Sequence, residues 1–171
     1  MKTTFWALMI AALTVAAVGS WLTVRESPST AREQTVLLYY YHEDSDRDAE
    51  GNIKCSADGL VPVTRTIDVE DKARDEVIAE TVRLLLQGRI SMAEEDQGFV
   101  ANFPIDGVVL NGVLFEGNES ESLRLNFSDL FGKSSGGSCR VGILRAQITA
   151  TAMQFDGIDA VIIEPEDIFQ P

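Results

Sequence analysis

The distribution of hydrophobic and polar residues divides the chain into one uninterrupted apolar segment and a longer part made of short, patterned runs. Residues 3–24 contain no charged side chain, whereas apolar runs after residue 34 alternate with polar loops. As a helix, the 22 residues of the first segment would extend about 33 Å, enough to cross a hydrocarbon core of about 30 Å. The pattern predicts a transmembrane helix at the N-terminus.

Two interpretations of this segment differ in whether it is removed after export. Val18-Gly19-Ser20 provides the small residues of a signal-peptide cleavage site. The length of the run favours an uncleaved signal anchor, and so does Trp21 at its far end, because aromatic rings prefer the membrane interface. Both interpretations place the rest of the chain outside the cytoplasm.

The domain boundaries follow from this division. We predict a signal anchor or signal peptide at residues 1–24, a linker at 25–34 and one folded domain at 35–171. Residues 25–33 are polar and contain Pro28, as expected of a short tether. The protein is thus expected in the cytoplasmic membrane with a single pass and an extracytoplasmic domain, or secreted if the leader is cleaved.

Short runs rich in β-branched and aromatic residues predict five strands in the domain. The second run contains Pro62, which lacks a backbone donor and therefore favours an edge strand or a bulge at the start of the strand. The third and fourth runs are close enough to form a hairpin. The predicted strands cover residues 35–41, 60–67, 107–115, 122–127 and 159–164.

Apolar residues at helical spacing predict two helices. Apolar residues on one face of the first helix are Ile78, Val82, Leu85 and Leu86. We expect this helix to begin near an N-cap at Asp68 or Asp71 and to end at Gln87, with Gly88 beyond it. The second helix is expected to begin with Ser138 as its N-cap and to end before Gly157. Its apolar stripe comprises Val141, Leu144, Ile148, Ala152 and Phe155.

The element order ββαββαβ predicts a single small α+β domain. Two amphipathic helices and a sheet bury their apolar faces most simply when both helices pack on the same face of that sheet. We therefore expect one mixed sheet with two helices on one side.

Charge and composition exclude several functional classes. From Ala31 onward the chain has 12 Lys and Arg against 26 Asp and Glu, a net charge of −14, so a nucleic-acid partner is not expected. Two Cys and one His are too few for a zinc site of the common kind. Apolar residues amount to 45%, which excludes wholesale disorder.

An acidic loop after the first strand is the one candidate metal site. Asp44, Asp46, Asp48 and Glu50 alternate, as carboxylates do in calcium-binding loops. However, Ala49 stands where such a loop requires glycine, and Cys55 stands where it requires a bidentate glutamate. The pattern favours a solvated acidic loop, with calcium as the alternative.

The two cysteines are candidates for a disulfide. An exported domain lies in an oxidising compartment, where Cys55 could bridge to Cys139 and tie the acidic loop to the second helix. Sequence does not fix the distance between their Cα atoms, so both the bridged and the free states stay open.

Other motifs do not assemble into a catalytic or cofactor site. His42 could pair with a cysteine, but no third group is evident to orient it. The run of acids at residues 94–96 is expected to form a solvated loop, since adjacent carboxylates rarely face each other across a cleft. Gly132-Lys133-Ser134 lacks the first glycine of a phosphate-binding loop. We therefore predict no catalytic or cofactor-binding residue, and no enzyme.

Several stretches in this order resemble the GerMN domain of sporulation and spore-germination proteins. The most distinctive is the strand Val61-Pro62-Val63-Thr64-Arg65. Arg89 departs from the proline expected after the first helix, and the lipoprotein cysteine of several members is absent. The matching stretches are residues 38–40, 60–65, 84–88, 98–104, 125–131, 136–138 and 147–158.

The resemblance implies an extracytoplasmic module without known catalytic residues, similar to the ring-building modules of envelope-spanning channels. We therefore expect a membrane-anchored, non-catalytic interaction module that helps to assemble or attach an envelope complex. Its partner would be another envelope protein or a second copy, bound by the sheet face without helices or by the edge strand at Pro62. The alternative is an accessory domain for peptidoglycan or a small ligand, bound by Tyr39, Tyr40 or Tyr41.

Overall fold

The computed structural model describes residues 32–116 and 121–171. The predicted anchor at residues 3–24 and the preceding part of the linker therefore lie outside the described residues. Among the helices that the structure describes, none combines the length and the apolar character that a bilayer crossing requires.

The predicted succession of strands and helices is confirmed, with one short helix and one short strand added between the first helix and the hairpin. The strands in the described part of the chain are β1 Glu33–His42, β2 Leu60–Asp68, β3 Phe99–Val100, β4 Val108–Glu116, β5 Glu121–Asp129 and β6 Ile158–Glu164. The helices are α1 Arg74–Leu86, α2 Met92–Asp96 and α3 Ser138–Met153.

The strands form two three-stranded sheets, so the prediction of a single sheet is wrong. One sheet has the order β2-β1-β3 and the other the order β4-β5-β6. Both β1–β2 and β4–β5 are antiparallel pairs, whereas β5 and β6 are parallel. As predicted from Pro62, β2 lies at the edge of its sheet.

Side chains of α3 and of Gln154, the residue directly after it, explain why β1 does not continue into the second sheet. The amide of Gln154 donates to the backbone oxygen of Leu37 and accepts from its backbone nitrogen, both at 2.7 Å. Thr151 accepts from the backbone nitrogen of Tyr39, and Gln147 donates to the Tyr39 oxygen. This part of the β1 edge is therefore already hydrogen-bonded by a helix and is closed to another strand.

Both sheets and the two long helices share one hydrophobic core. In the predicted stripe of α1, Ile78, Val82 and Leu85 are fully buried, whereas Leu86 is half-buried against the same core. The α3 stripe is buried from Val141 to Ala152, but the helix ends at Met153, so Phe155 lies beyond it and is only half-buried. These helices contact each other, and each contacts both sheets. Other fully buried residues of this core include Leu38 and Tyr40 from β1, Leu123 and Leu125 from β5, and Phe169 near the end of the chain.

The predicted helix starts need correction. The residue before α1 is Ala73, whose backbone nitrogen donates to the Glu76 carboxylate at 2.8 Å. Asp68 instead accepts from Glu70 within the preceding turn. The residue before α3 is Gly137, so Ser138 is the first helical residue and not the cap. At the other end of α1, Gly88 has the left-handed φ of +62° that was expected of it.

Candidate functional site

The sheet β4-β5-β6 has one face against the core and one face that none of the helices within residues 32–116 and 121–171 covers. Strand residues alternate between the two faces, and Leu123, Leu125 and Phe127 of β5 are buried on the inner one. We call the opposite face the outer face. It comprises Val109, Leu114, Glu116, Arg124, Asn126, Ser128, Ile162 and Glu164, which the strand register places side by side.

The centre of the outer face is a row of three cross-strand neighbours. Arg124 on the middle strand pairs with Leu114 of β4 on one side and with Ile162 of β6 on the other. Leu114 is 61% exposed and Ile162 is 38% exposed. Two aliphatic side chains therefore flank a central cation in contact with solvent.

Two carboxylates hold the central cation. Arg124 donates to Oε1 of Glu116 from Nε at 2.9 Å, and it forms a further ion pair with Glu164. The hydrogen bond from Arg124 holds the pKa of Glu116 below its usual value, and the same contact raises the pKa of Arg124. The guanidinium is thus already paired with carboxylates from the two neighbouring strands.

Next to this row lies a chain of polar side chains. A β-bulge at Asn111 interrupts the register between β4 and β5. The Asn111 amide donates to the side-chain oxygen of Asn126 at 3.0 Å, and the hydroxyl of Ser128 donates to Asn111 at 3.3 Å. These groups are at least partly exposed, so they can also bond to a partner or to water.

The end of the sheet where β4 begins is apolar as well. Val109 is 48% exposed, and Leu130 and Phe131, directly after β5, are 72% and 60% exposed. The ring of Phe131 lies against Gly107, where an added Cβ would be 2.6 Å from Cδ2 of the ring. Among the large hydrophobic residues exposed in the described part of the chain, five of nine thus lie on the outer face or at this end of its sheet.

The acidic loop does not gather its four carboxylates. Within residues 32–116 and 121–171, no group of three or more potential ligand side chains is arranged to hold a metal ion. Asp44 pairs with Arg47, and Asp48 accepts from the backbone of Glu50 and Asn52. Asp44 and Asp48 therefore bond to their own neighbours in the loop and do not share a ligand. The carboxylate of Glu50 is exposed.

Asp46 is buried, so the prediction of a solvated loop is wrong at this position. Its carboxylate accepts from the hydroxyl of Tyr41 at 2.6 Å and from the backbone and hydroxyl of Ser56. Burial raises the pKa of Asp46, but these hydrogen bonds, together with Lys54, outweigh burial and hold it below the usual value. Burial and the bond to Asp46 in turn raise the pKa of Tyr41 to about 12.

The two cysteines form a disulfide in the structure. Cys55 and Cys139 are bonded, with their Cα atoms 5.1 Å apart. The bridge ties the acidic loop to the first turn of α3, across 84 residues of sequence. Because Cys139 is bonded, it is not a nucleophile paired with His42. The imidazole instead contacts the backbone oxygen of Gln97 at 2.6 Å.

The three tyrosines of β1 do not jointly line a pocket. Tyr40 and Tyr41 are buried, with 0% and 3% exposure, and only Tyr39 is half-buried. The hydroxyl of Tyr40 donates to the backbone oxygen of Arg89 at 3.3 Å. Two of the rings proposed for ligand binding therefore belong to the core.

Sequence reasoning missed an ion pair between β2 and α2. Nη1 and Nη2 of Arg65 lie 2.8 and 2.9 Å from the two carboxylate oxygens of Glu94. Glu94 was expected in a solvated loop, but it belongs to α2 and its side chain is only 17% exposed. The bond from Arg65 lowers the pKa of Glu94 to about 2. The short signal Ser91-x-x-Glu94, a capping box, could have revealed the helix.

Backbone donors in the segment around Gly132-Lys133-Ser134 are bonded to a carboxylate. Backbone nitrogens of Phe131 and Ser134 donate to Asp129 at 3.3 and 2.7 Å. Although burial raises the pKa of Asp129, these bonds lower it to about 2. A phosphate-binding loop needs free backbone donors, and here two of them are already bonded to an anion.

A groove of about 570 Å³ lies between α1 and the edge strand β4. Its floor includes Ala79, Gly112 and Val113. Its walls carry charges of both signs from Lys72, Asp75, Glu76, Glu80 and Arg83. Lys72 pairs with Glu80, and Arg83 donates to the backbone oxygen of Leu110. The groove is open and combines an apolar floor with charged walls, without a cluster of nucleophilic and basic groups.

Comparison with known protein families identifies the domain. The model of the Germane family, described as sporulation and spore germination, matches residues 37–167. The chain belongs to this family. The sequence-based resemblance to the GerMN domain is thereby confirmed.

Two solved structures are similar to this GerMN chain. One contains the tandem GerMN domains of the sporulation protein GerM from Bacillus subtilis, with 20% identity and a TM-score of 0.49 over 85% of this chain. The chain spans 43% of that structure, less than half of its length. The other contains the first GerMN domain of the same protein, with 21% identity, a TM-score of 0.40, and coverage of 76% of this chain and 84% of that one. No curated protein matches the chain.

Proposed function

We propose that this GerMN protein is a non-catalytic interaction module of the cell envelope that acts in sporulation or germination. In this proposal, residues 3–24 anchor it in the cytoplasmic membrane, and the domain lies on the extracytoplasmic side. There it helps to assemble or attach an envelope complex through protein contacts.

One observation carries the proposal. The outer face presents exposed aliphatic side chains beside a cation that is already neutralised, and no helix among the described residues covers it. Exposed apolar patches of this kind commonly mark interaction surfaces. The titratable groups with the strongest pKa shifts, Glu94, Asp129 and Tyr41, have structural bonds that account for them.

The disulfide supports an extracytoplasmic location. Disulfides persist in oxidising compartments and are rare in the cytosol. The apolar run at residues 3–24 supports anchoring, because its length suits a membrane crossing.

Fractionation of the cells that make the protein tests this proposal. We expect the full-length chain in the membrane fraction, accessible to a protease added from the extracytoplasmic side. After mild detergent extraction, it should migrate in a complex larger than the chain itself. A cytosolic chain, or one that migrates by itself under all extraction conditions, contradicts the proposal.

A second candidate function is binding of a cell-wall polymer or small ligand in the groove between α1 and β4. Its size and its mixed charges suit a polar ligand. Sedimentation with purified peptidoglycan tests this alternative. Tight co-sedimentation that Glu80→Gln weakens, and that Leu114→Lys on the outer face leaves unchanged, favours it over protein contacts.

A further inference from the structure

We infer that the outer face docks a protein surface with an aliphatic centre and a basic rim, and not a second copy of this chain. The inference rests on the proposed function, since it names the partner of that interaction module. The row Leu114–Arg124–Ile162 and its two glutamates carry the argument.

The centre of the face suits aliphatic contacts. Leu114 and Ile162 expose apolar surface on both sides of Arg124. The guanidinium donates to Glu116 and pairs with Glu164. A partner that covers this row therefore does not leave the cation unpaired, and an unpaired buried charge is the main cost of covering a charged residue.

The charge of the outer face favours a partner of opposite charge. Two carboxylates surround one guanidinium, so the row keeps an excess negative charge. The domain around it carries a net −14 from Ala31 onward. Basic groups at the rim of a partner can pair with the carboxylate surplus, and long-range attraction accelerates their encounter with an acidic domain.

The same charges disfavour the other occupants. Two copies joined through their outer faces would bring two surplus-negative rows and two acidic domains together, which repel each other. A membrane with anionic lipids is repelled for the same reason. A cationic protein surface with an aliphatic centre complements both the aliphatic row and the negative charge of the outer face.

The polar side chains beside the row favour one orientation of the partner. Asn111, Asn126 and Ser128 bond to one another, but each side chain keeps exposed surface. These amides lie on one side of the row, so a partner can accept hydrogen bonds from them on that side and not on the other. The interface is therefore expected to be oriented along the strands, with aliphatic contacts at Leu114 and hydrogen bonds at Asn126.

Site-specific photo-cross-linking tests the inference in the cells that make the protein. A photoreactive residue replaces Leu114 in one full-length variant and Met92 in a control variant. Met92 is also apolar, is 82% exposed and lies on α2 beside the other sheet. We expect a specific protein adduct from position 114 and none from position 92. Mass spectrometry should place the adduct in a segment flanked by Lys or Arg.

Charge variants provide the second measurement. Glu164→Gln keeps the shape of the side chain and removes one carboxylate from the row. Together with Glu116→Gln, it should reduce the yield of the same adduct about tenfold. The matched pair Glu95→Gln and Asp96→Asn, on exposed positions of α2, should leave the yield unchanged.

Each other result overturns the inference in a recognisable way. An adduct between two copies shows self-association, and an adduct with lipid or peptidoglycan shows a different occupant. A protein adduct from position 92 in place of position 114 moves the interface elsewhere and leaves the proposed function standing. Absence of adducts from both positions, in a chain that also migrates by itself after extraction, contradicts the proposed function itself.

Discussion

Arg65 and Glu94 join the edge strand β2 to the short helix α2 through two parallel hydrogen bonds of 2.8 and 2.9 Å. Nη2 of Arg65 also donates to the backbone oxygen of Arg89 at 3.0 Å. The same oxygen accepts from the buried Tyr40 hydroxyl. Thus Arg65 and Tyr40 both fix the backbone after α1. The side chain of Arg89 is exposed, which explains why a residue other than proline is tolerated there.

Acidification should weaken the domain through Glu94. Its pKa is about 2 in the folded protein, against 4.5 as its ordinary value. The stabilisation is therefore complete above about pH 4.5 and is lost as the pH falls toward 2. Glu94→Gln should lower the free energy of unfolding at pH 7 by about 1–2 kcal/mol. Urea titrations of both proteins at several pH values measure this.

The difference between the two proteins should shrink in acid, where Glu94 itself becomes neutral. Glu95→Gln is the matched control, because Glu95 is exposed. A difference between Glu94→Gln and the unchanged protein that stays constant from pH 7 to pH 2 contradicts the role assigned to Arg65.

Removal of the Asp46 carboxylate should destabilise the domain strongly. Asp46→Ala leaves the buried Tyr41 hydroxyl and the Ser56 groups without their acceptor, at an expected cost of about 3 kcal/mol. Asp44→Ala should cost less than about 0.5 kcal/mol, because that carboxylate is exposed. Thermal unfolding followed by circular dichroism compares the two. Equal effects would show that the position of Asp46 has no special importance.

Reduction of the disulfide should lower stability and increase thiol reactivity together. Cys55 and Cys139 close a loop with a sequence separation of 84 residues, which is worth about 4.5 kcal/mol in the chain-entropy model. A maleimide reagent should label the unfolded protein only after reduction. The double variant with serine at both positions should unfold at the temperature of the reduced protein, and a reductant should not change it further.

Loss of the Gln154 amide should expose the edge of β1. Gln154→Ala removes two hydrogen bonds to the Leu37 backbone, with an expected cost of about 1–2 kcal/mol. The amide hydrogen of Leu37 should then exchange faster with solvent, as measured by NMR. Met153→Ala, at a neighbouring residue that is 44% exposed, should leave this exchange rate unchanged.

Gly88 should tolerate no side chain, because two constraints act at this position. Its φ is +62°, and an added Cβ would lie 1.7 Å from the backbone oxygen of Phe103. Gly132 has nearly the same φ of +63° with open space around it. Gly132→Ala should therefore cost about 1 kcal/mol, whereas Gly88→Ala should cost several times more. Similar urea midpoints for both variants would contradict the contact with Phe103.

The local elements of this protein were within reach of sequence reasoning. A run of β-branched and aromatic residues predicts a strand, as in β1. The spacing of Ile78, Val82 and Leu85 predicts a helix. The helix end at Gly88 was also predictable, because only glycine adopts positive φ without strain. The helix starts at Arg74 and Ser138 were not, since several polar residues nearby could serve equally well as caps.

The candidate site was predictable only in kind. The sequence indicated a sheet face without helices, but not which of two sheets would present it. Nor did it indicate that Arg124 lies between Leu114 and Ile162, since that row depends on the register of three strands. A register shift by one residue would exchange the inner and outer faces.

The sequence by itself determined the apolar N-terminal run, the acidic charge, the order of elements and the family, because each of these depends on residue type or on spacing along the chain. Tertiary structure decided the division into two sheets, the burial of Asp46 and the pairing of Arg65 with Glu94. These depend on contacts between distant residues, such as Gln154 with Leu37 across 117 positions. Such contacts form only where the packed core brings particular backbone and side-chain groups within hydrogen-bonding distance, and no local pattern records that proximity.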